Sequence, residues 1–71
     1  MTRDEHLEWS KKRAMEYFHR GDMVNAVSSM LSDLGKHPEL EGIGKQMAIY
    51  GIFLLTNKNP NEIRRFIEGF R

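Results

Sequence analysis

An all-α domain of four short helices is predicted, and three observations carry that prediction. Apolar residues recur at steps of three and four, most clearly at Met23, Ala26, Val27, Met30, Leu31 and Leu34, which trace one face of a 3.6-residue helix. Capping residues stand before the apolar stretches (Thr2, Asp22, Asn59) and glycines stand after two of them (Gly21, Gly35). The connections are short, which makes neighbouring helices antiparallel.

Helix one is expected from about Arg3 to Arg20. Thr2 and Glu5 form a capping box, Asp4 and Glu5 place negative charge at the positive end of the helix dipole, and Arg20 lies at the other end. Leu7, Ala14, Tyr17 and Phe18 form its stripe, and Gly21 supplies a left-handed stop. Asp22 caps helix two, Gly35 ends it, and Pro38 keeps it from resuming. Helix three is expected to begin between Glu39 and Gly44 and to close near Asn57. Ile43, Met47 to Tyr50 and Ile52 to Leu55 cover nearly its whole circumference, so it is expected to be the central apolar helix or to face a second chain. Its β-branched residues leave a strand reading open, while Gln46, Met47, Ala48, Leu54 and Leu55 favour helix. Asn59-Pro60-Asn61-Glu62 reads as a second capping box with proline at the first helical position, opening a short helix striped by Ile63, Phe66, Ile67 and Phe70.

The 71 residues form one domain, residues 1–71. A chain this short buries only about 60% of the surface its unfolded form exposes, which makes help from a partner chain valuable. Hydrophobic residues are 39% and charged residues 30%, a globular balance. Eleven Lys and Arg against ten Asp and Glu leave a net charge of +1, too little to coat nucleic acid by bulk attraction. The absence of cysteine removes a disulfide framework, a thiolate zinc site and a cysteine nucleophile together. Met1 to Glu8 lacks the apolar core of a signal peptide, and the run Met47 to Leu55 falls short of the roughly 20 residues of a bilayer span. A soluble, cytoplasmic protein without a membrane partner is expected.

Ala14, Tyr17, Gly21-Asp22, Ala26 and Pro38 stand in the register of a small residue, an aromatic, a turn, a second-helix alanine and a closing proline. Helices one and two therefore resemble a single tetratricopeptide repeat. Ser29 and Met30 depart from that pattern where an aromatic is usual, and the pattern occurs once, so a repeat-like hairpin closed by two further helices is implied rather than an array. Glu5-His6-Leu7-Glu8-Trp9, Arg20-Gly21-Asp22, Asn25-Ala26-Val27, Ser32-Asp33-Leu34, Lys36-His37-Pro38-Glu39 and Arg65-Phe66-Ile67-Glu68-Gly69-Phe70 make the chain resemble a family of small proteins encoded by tailed phages and prophages. That resemblance implies a phage origin and a setting in the host cytoplasm during infection, and it implies no catalytic residue.

Little in the sequence points to bond-making chemistry. His6 and His19 lie about 20 Å apart along one helix and cannot share an ion unless a second chain intervenes, and His37 precedes Pro38 where a histidine commonly caps a helix C-terminus. Ser28, Ser29 and Ser32 have no histidine at adjacent helical spacing to act as base. Gly42-Ile43-Gly44-Lys45 resembles a fragment of a phosphate loop but lacks the strand and remaining glycines, and it reads as a flexible turn. No catalytic residue, metal or cofactor is expected.

Two basic clusters, Lys11-Lys12-Arg13 near Trp9 and Arg64-Arg65 near Phe66, are diluted by acidic neighbours and spread around their helices. The expected function is that of a non-enzymatic, phage-type accessory protein that binds a host or phage protein, with a homodimer as its working form. Trp9, Arg13, Tyr17, Arg64 and Arg65 are the candidate interface residues, since Trp, Tyr and Arg dominate binding hot spots. A small nucleic-acid-binding regulator and a nucleotide-sequestering oligomer are the alternatives.

Overall fold

In the computed structural model, which describes residues 1–71, four helices and no strand are formed: α1 (Arg3–His19), α2 (Met23–Leu34), α3 (Pro38–Asn57) and α4 (Pro60–Glu68). The predicted class and number of helices are those observed. Consecutive helices run antiparallel. His6 and Arg13 of α1 meet Asp33 near the end of α2, and Val27 and Leu34 of α2 lie against Gly51 and Gly44 of α3.

The termini form where the capping chemistry dictates. Thr2 Oγ1 accepts from the Glu5 amide at 3.2 Å, and the Thr2 amide donates to Glu5 Oε1 at 2.9 Å, closing the capping box. Those bonds from the Thr2 backbone and side chain hold the Glu5 carboxyl below its ordinary range. Asp22 caps α2 by accepting from the Asn25 amide at 3.1 Å, and the Asn25 side chain and amide together lower the Asp22 carboxyl likewise. Gly21, at φ 79°, makes the left-handed turn that no side chain would adopt cheaply.

Three boundary expectations need correcting. Pro38 is the first residue of α3, not merely a block on α2, because its missing N–H costs nothing there. His37 is accordingly the N-cap of α3, its Nδ1 accepting from the Glu39 amide at 3.1 Å, rather than a C-terminal cap. Gly42-Ile43-Gly44-Lys45 lies within α3 and is helical, so it is neither a turn nor a phosphate loop. At α4, Asn59 Oδ1 alone accepts from the Asn61 and Glu62 amides, at 3.0 and 3.4 Å, while the Glu62 side chain turns to a groove between α3 and α4.

The core is built on α2, not on α3 as the hydrophobicity of α3 led one to expect. Ala26, Val27, Met30 and Leu34 are buried, and α2 packs on all three other helices. They meet Leu7 and Ala14 of α1, Leu40 and Leu54 of α3, Ile63, Phe66 and Ile67 of α4, and Phe70 beyond it. The physical reason is size. An α2 stripe limited to one face has partners on three sides, whereas α3 is too long and too apolar for the two shorter helices beside it to cover. Its 20 residues make a rod of about 30 Å, which spans the 31 Å long axis of the molecule. It crosses α2 closely because Gly44 and Gly51, both buried, present no side chain there. A Cα radius of gyration of 11.0 Å equals the value of about 11 Å for a compact chain of this length, so what α3 leaves exposed is no product of loose packing.

Candidate functional site

The five residues singled out in the sequence do not form one surface. Trp9, Arg13 and Tyr17 recur every four residues and share one side of α1, where they meet α2. Arg64 and Arg65 stand on α4.

On the α1 side the side chains are engaged with one another. Arg13 Nε donates to Asp33 Oδ2 at 2.8 Å, and its guanidinium carbon lies 4.8 Å from the centre of the Trp9 ring. Lys36 Nζ donates to Asp33 Oδ1 at 3.0 Å and stands 5.9 Å from the same ring. His6 also packs against the indole, with ring centres 5.2 Å apart. Trp9 is therefore half-buried in a layer made by its own chain. Tyr17 is half-buried too, beneath the Arg20 guanidinium at 5.5 Å.

Asp33 is the buried carboxylate of this knot, satisfied by Arg13, Lys36 and, at 3.4 Å, the Ser29 hydroxyl. Its backbone carbonyl accepts from His6 Nε2 at 2.6 Å. His6 and His37, not His6 and His19, are the histidines brought together, with ring centres 5.2 Å apart. Both rings are committed to structural bonds, His6 to a carbonyl and His37 to an amide. No group of three or more His, Asp or Glu side chains is placed to hold a metal ion.

The basic clusters are largely consumed within the fold. Lys11 donates to the Glu68 carbonyl at 3.2 Å and stands 4.0 Å from Glu8, Arg13 pairs with Asp33, and Arg64 pairs with Glu68 at 2.8 Å. That hydrogen bond to Glu68 raises the already high pKa of Arg64, so the residue is a permanent cation with its partner in hand. A phosphate backbone would have to displace these carboxylates and carbonyls one by one.

Two features of α3 remain. Its outward side shows Ile49 (80% exposed), Ile52 (63%) and Phe53 (58%) to solvent. No charged residue lies between Gln46 and Asn57. Its other side forms a groove of about 480 Å³ with α4, walled by Ile43, Met47 and Tyr50 and floored by Phe66 and Phe70. The two floor rings meet edge to face at 5.0 Å, and Tyr50 lies 5.7 Å from Phe66. Arg65, Glu62 and Arg71 edge the groove. The sequence signal for it is the step Ile43, Met47, Tyr50, a stripe separate from the one through Ile49, Ile52 and Phe53; only the apolar total along α3, and not its division into two surfaces, was evident beforehand.

No protein-family model, curated protein or solved structure matches the chain. The reading of its function therefore rests on these surfaces. No helix is long and apolar enough to cross a membrane.

Proposed function

We propose that the chain is a non-enzymatic protein-binding module, a phage-type accessory protein whose working form is a homodimer paired through α3. The observation that carries the reading is the outward side of α3, where Ile49, Ile52 and Phe53 stand in water on a helix turn free of charge. Taking roughly 180 Å² for a fully exposed large side chain, they present about 350 Å² of contiguous apolar surface, the size at which a patch on a small protein is commonly functional.

A second copy is the occupant that fits. Gln46 to Asn57 carry no charge, so two copies of this stretch can meet without burying an ion. Two α3 helices laid antiparallel about a twofold axis join these uncharged middles and set opposite ends of the helix dipoles side by side. The patch alone lies below the roughly 800 Å² per partner of a standard interface, so the dimer is of the weak, reversible kind. The phage setting and the host or phage target draw support from the resemblance of Glu5 to Trp9, Lys36 to Glu39 and Arg65 to Phe70 to phage-encoded small proteins, an argument by analogy.

Sedimentation velocity over a wide concentration range tests the reading. The chain is expected to move from monomer to dimer as concentration rises, and Phe53→Asp is expected to hold it as monomer. A wild-type chain that stays monomeric at the highest concentration overturns it.

A further inference from the structure

The outward side of α3 accounts for self-association and leaves the groove between α3 and α4 unassigned. We infer that this groove is a docking site for an acidic amphipathic helix of a partner protein, an inference that rests on the reading of the chain as a protein-binding module and names the partner's chemistry.

The groove is an open channel along the surface, accessible over its length to an extended partner. Its 480 Å³ falls within the range of about 300–1,000 Å³ typical of ligand sites. That space takes two or three large side chains at once, such as a helix presents at i, i+3 and i+7 when it lies in an apolar channel. The floor is rigid, since Phe66 and Phe70 are buried and packed on each other. The wall is adaptable, since Met47 is unbranched and half-buried.

Charge selects the occupant. Arg65 makes no salt bridge within the protein, in contrast to its neighbour Arg64. Arg71 also borders the groove with its guanidinium free of any carboxylate. Arg3, outside the groove, donates to the Arg71 carbonyl, and Asp4 offsets part of its charge. The one acid on the rim, Glu62, sits in the first turn of α4, where the helix dipole stabilises its charge, so the rim holds two cations against one anion. From α3 no charged side chain faces the groove. Two guanidinia without a carboxylate partner on the rim of an aromatic channel fit a helix whose apolar stripe is bordered by Asp or Glu, because each guanidinium can bind a carboxylate through paired N–H donors.

Selection of a displayed random-peptide library on the full chain tests the site, followed by fluorescence anisotropy of the enriched peptides. Enriched peptides are expected to carry Leu, Phe or Trp at helical spacing with Asp or Glu beside them. Arg65→Glu is expected to weaken those peptides by about tenfold or more and to turn a repeated selection toward Lys and Arg. Arg65→Gln, which keeps length without reversing charge, is expected to fall between. Arg65 is exposed, and an unchanged circular dichroism melt for both variants separates binding from folding. The monomeric Phe53→Asp chain is expected to bind the same peptides undiminished, so loss of the dimer and loss of the docking site are read separately. Failure to enrich any peptide, enrichment without acidic bias, or binding indifferent to Arg65→Glu overturns the inference.

Discussion

Glycine-to-alanine substitution along α3 measures how closely that helix lies on α2. In a helix interior alanine is favoured over glycine by about 0.8–1 kcal/mol, so packing alone decides the sign at each position. At Gly42 a new Cβ would meet nothing within 4 Å. The whole gain is expected there, a rise in Tm of roughly 4–8 °C per kcal/mol for a domain of this size. At Gly44 the Cβ would stand 3.3 Å from Leu34 Cβ, an atom that moves only with its backbone. Gain and cost are expected to cancel to within about 0.5 kcal/mol. At Gly51 it would stand 3.0 Å from both Leu31 Cδ1 and Val27 Cγ1, and 3.4 Å from Phe66 Cζ. Comfortable carbon contacts begin near 3.5 Å. Leu31, half-buried, can swing aside, but Val27 is buried and stiff about χ1. Relief then requires α3 to lift from α2, and overpacking of this kind costs about 1–3 kcal/mol, for a net loss near 1 kcal/mol. Thermal melts at one low protein concentration, where the chain is a single species, supply the ranking. Gly42→Ala should be most stable, Gly44→Ala should match the wild type, and Gly51→Ala should be least stable. If Gly51→Ala stabilises as much as Gly42→Ala, the close crossing of α2 and α3 is wrong.

Met30→Ala removes the central side chain of α2, which is wholly buried, and should cost about 2–4 kcal/mol, read as a lower urea midpoint with an unchanged slope. Ile49→Asp and Phe53→Asp change side chains that solvent already reaches, so the monomer's stability should stay within about 0.5 kcal/mol while the proposed dimer should weaken about a hundredfold, each substitution counting twice at a twofold interface. Sedimentation and thermal melts together check that separation. Because Glu5 and Asp22 have folded-state pKa values below their unfolded ones, their contribution is complete above the ordinary carboxylate range and drains away as pH falls beneath it. Tm should therefore decline on acidification below the ordinary carboxylate values of 4.5 and 3.8, and Asp22→Asn, which still caps, should lessen that decline while leaving neutral-pH stability nearly unchanged.

Local rules carried the helices further than they carried the surfaces. The Thr2–Glu5 box, the Asp22 cap, the Gly21 stop and the α2 stripe depend on residues a few positions apart, and each is legible from spacing. Pro38 misled because proline both stops one helix and starts the next, and only the path of the chain after α2 decides between them. The centrality of α2 was hidden because apolar content was read as depth of burial. Two shorter helices cannot enclose a 20-residue rod, so much of the apolar surface of α3 faces outward. The cover over Trp9 is not legible in the sequence, because the residues that supply it, Arg13 and Lys36, are charged and carry no apolar signal. Their meeting depends on Asp33, which lies on the next helix, 20 positions from Arg13.

That meeting at Asp33 also determines how α1 can sit on α2. The small side chains along their contact, Ser10, Ala14 and Ala26, would let one helix slide past the other with little steric resistance. A slip of one turn, about 5.4 Å, would carry the Arg13 guanidinium away from the Asp33 carboxylate and pull His6 off the Asp33 carbonyl. A negative charge would then be sealed in the interior with Lys36 as its sole counter-ion, a far costlier arrangement than any loss of greasy contact. The hairpin thus has a single admissible alignment, enforced by a penalty on the wrong ones rather than by extra attraction in the right one.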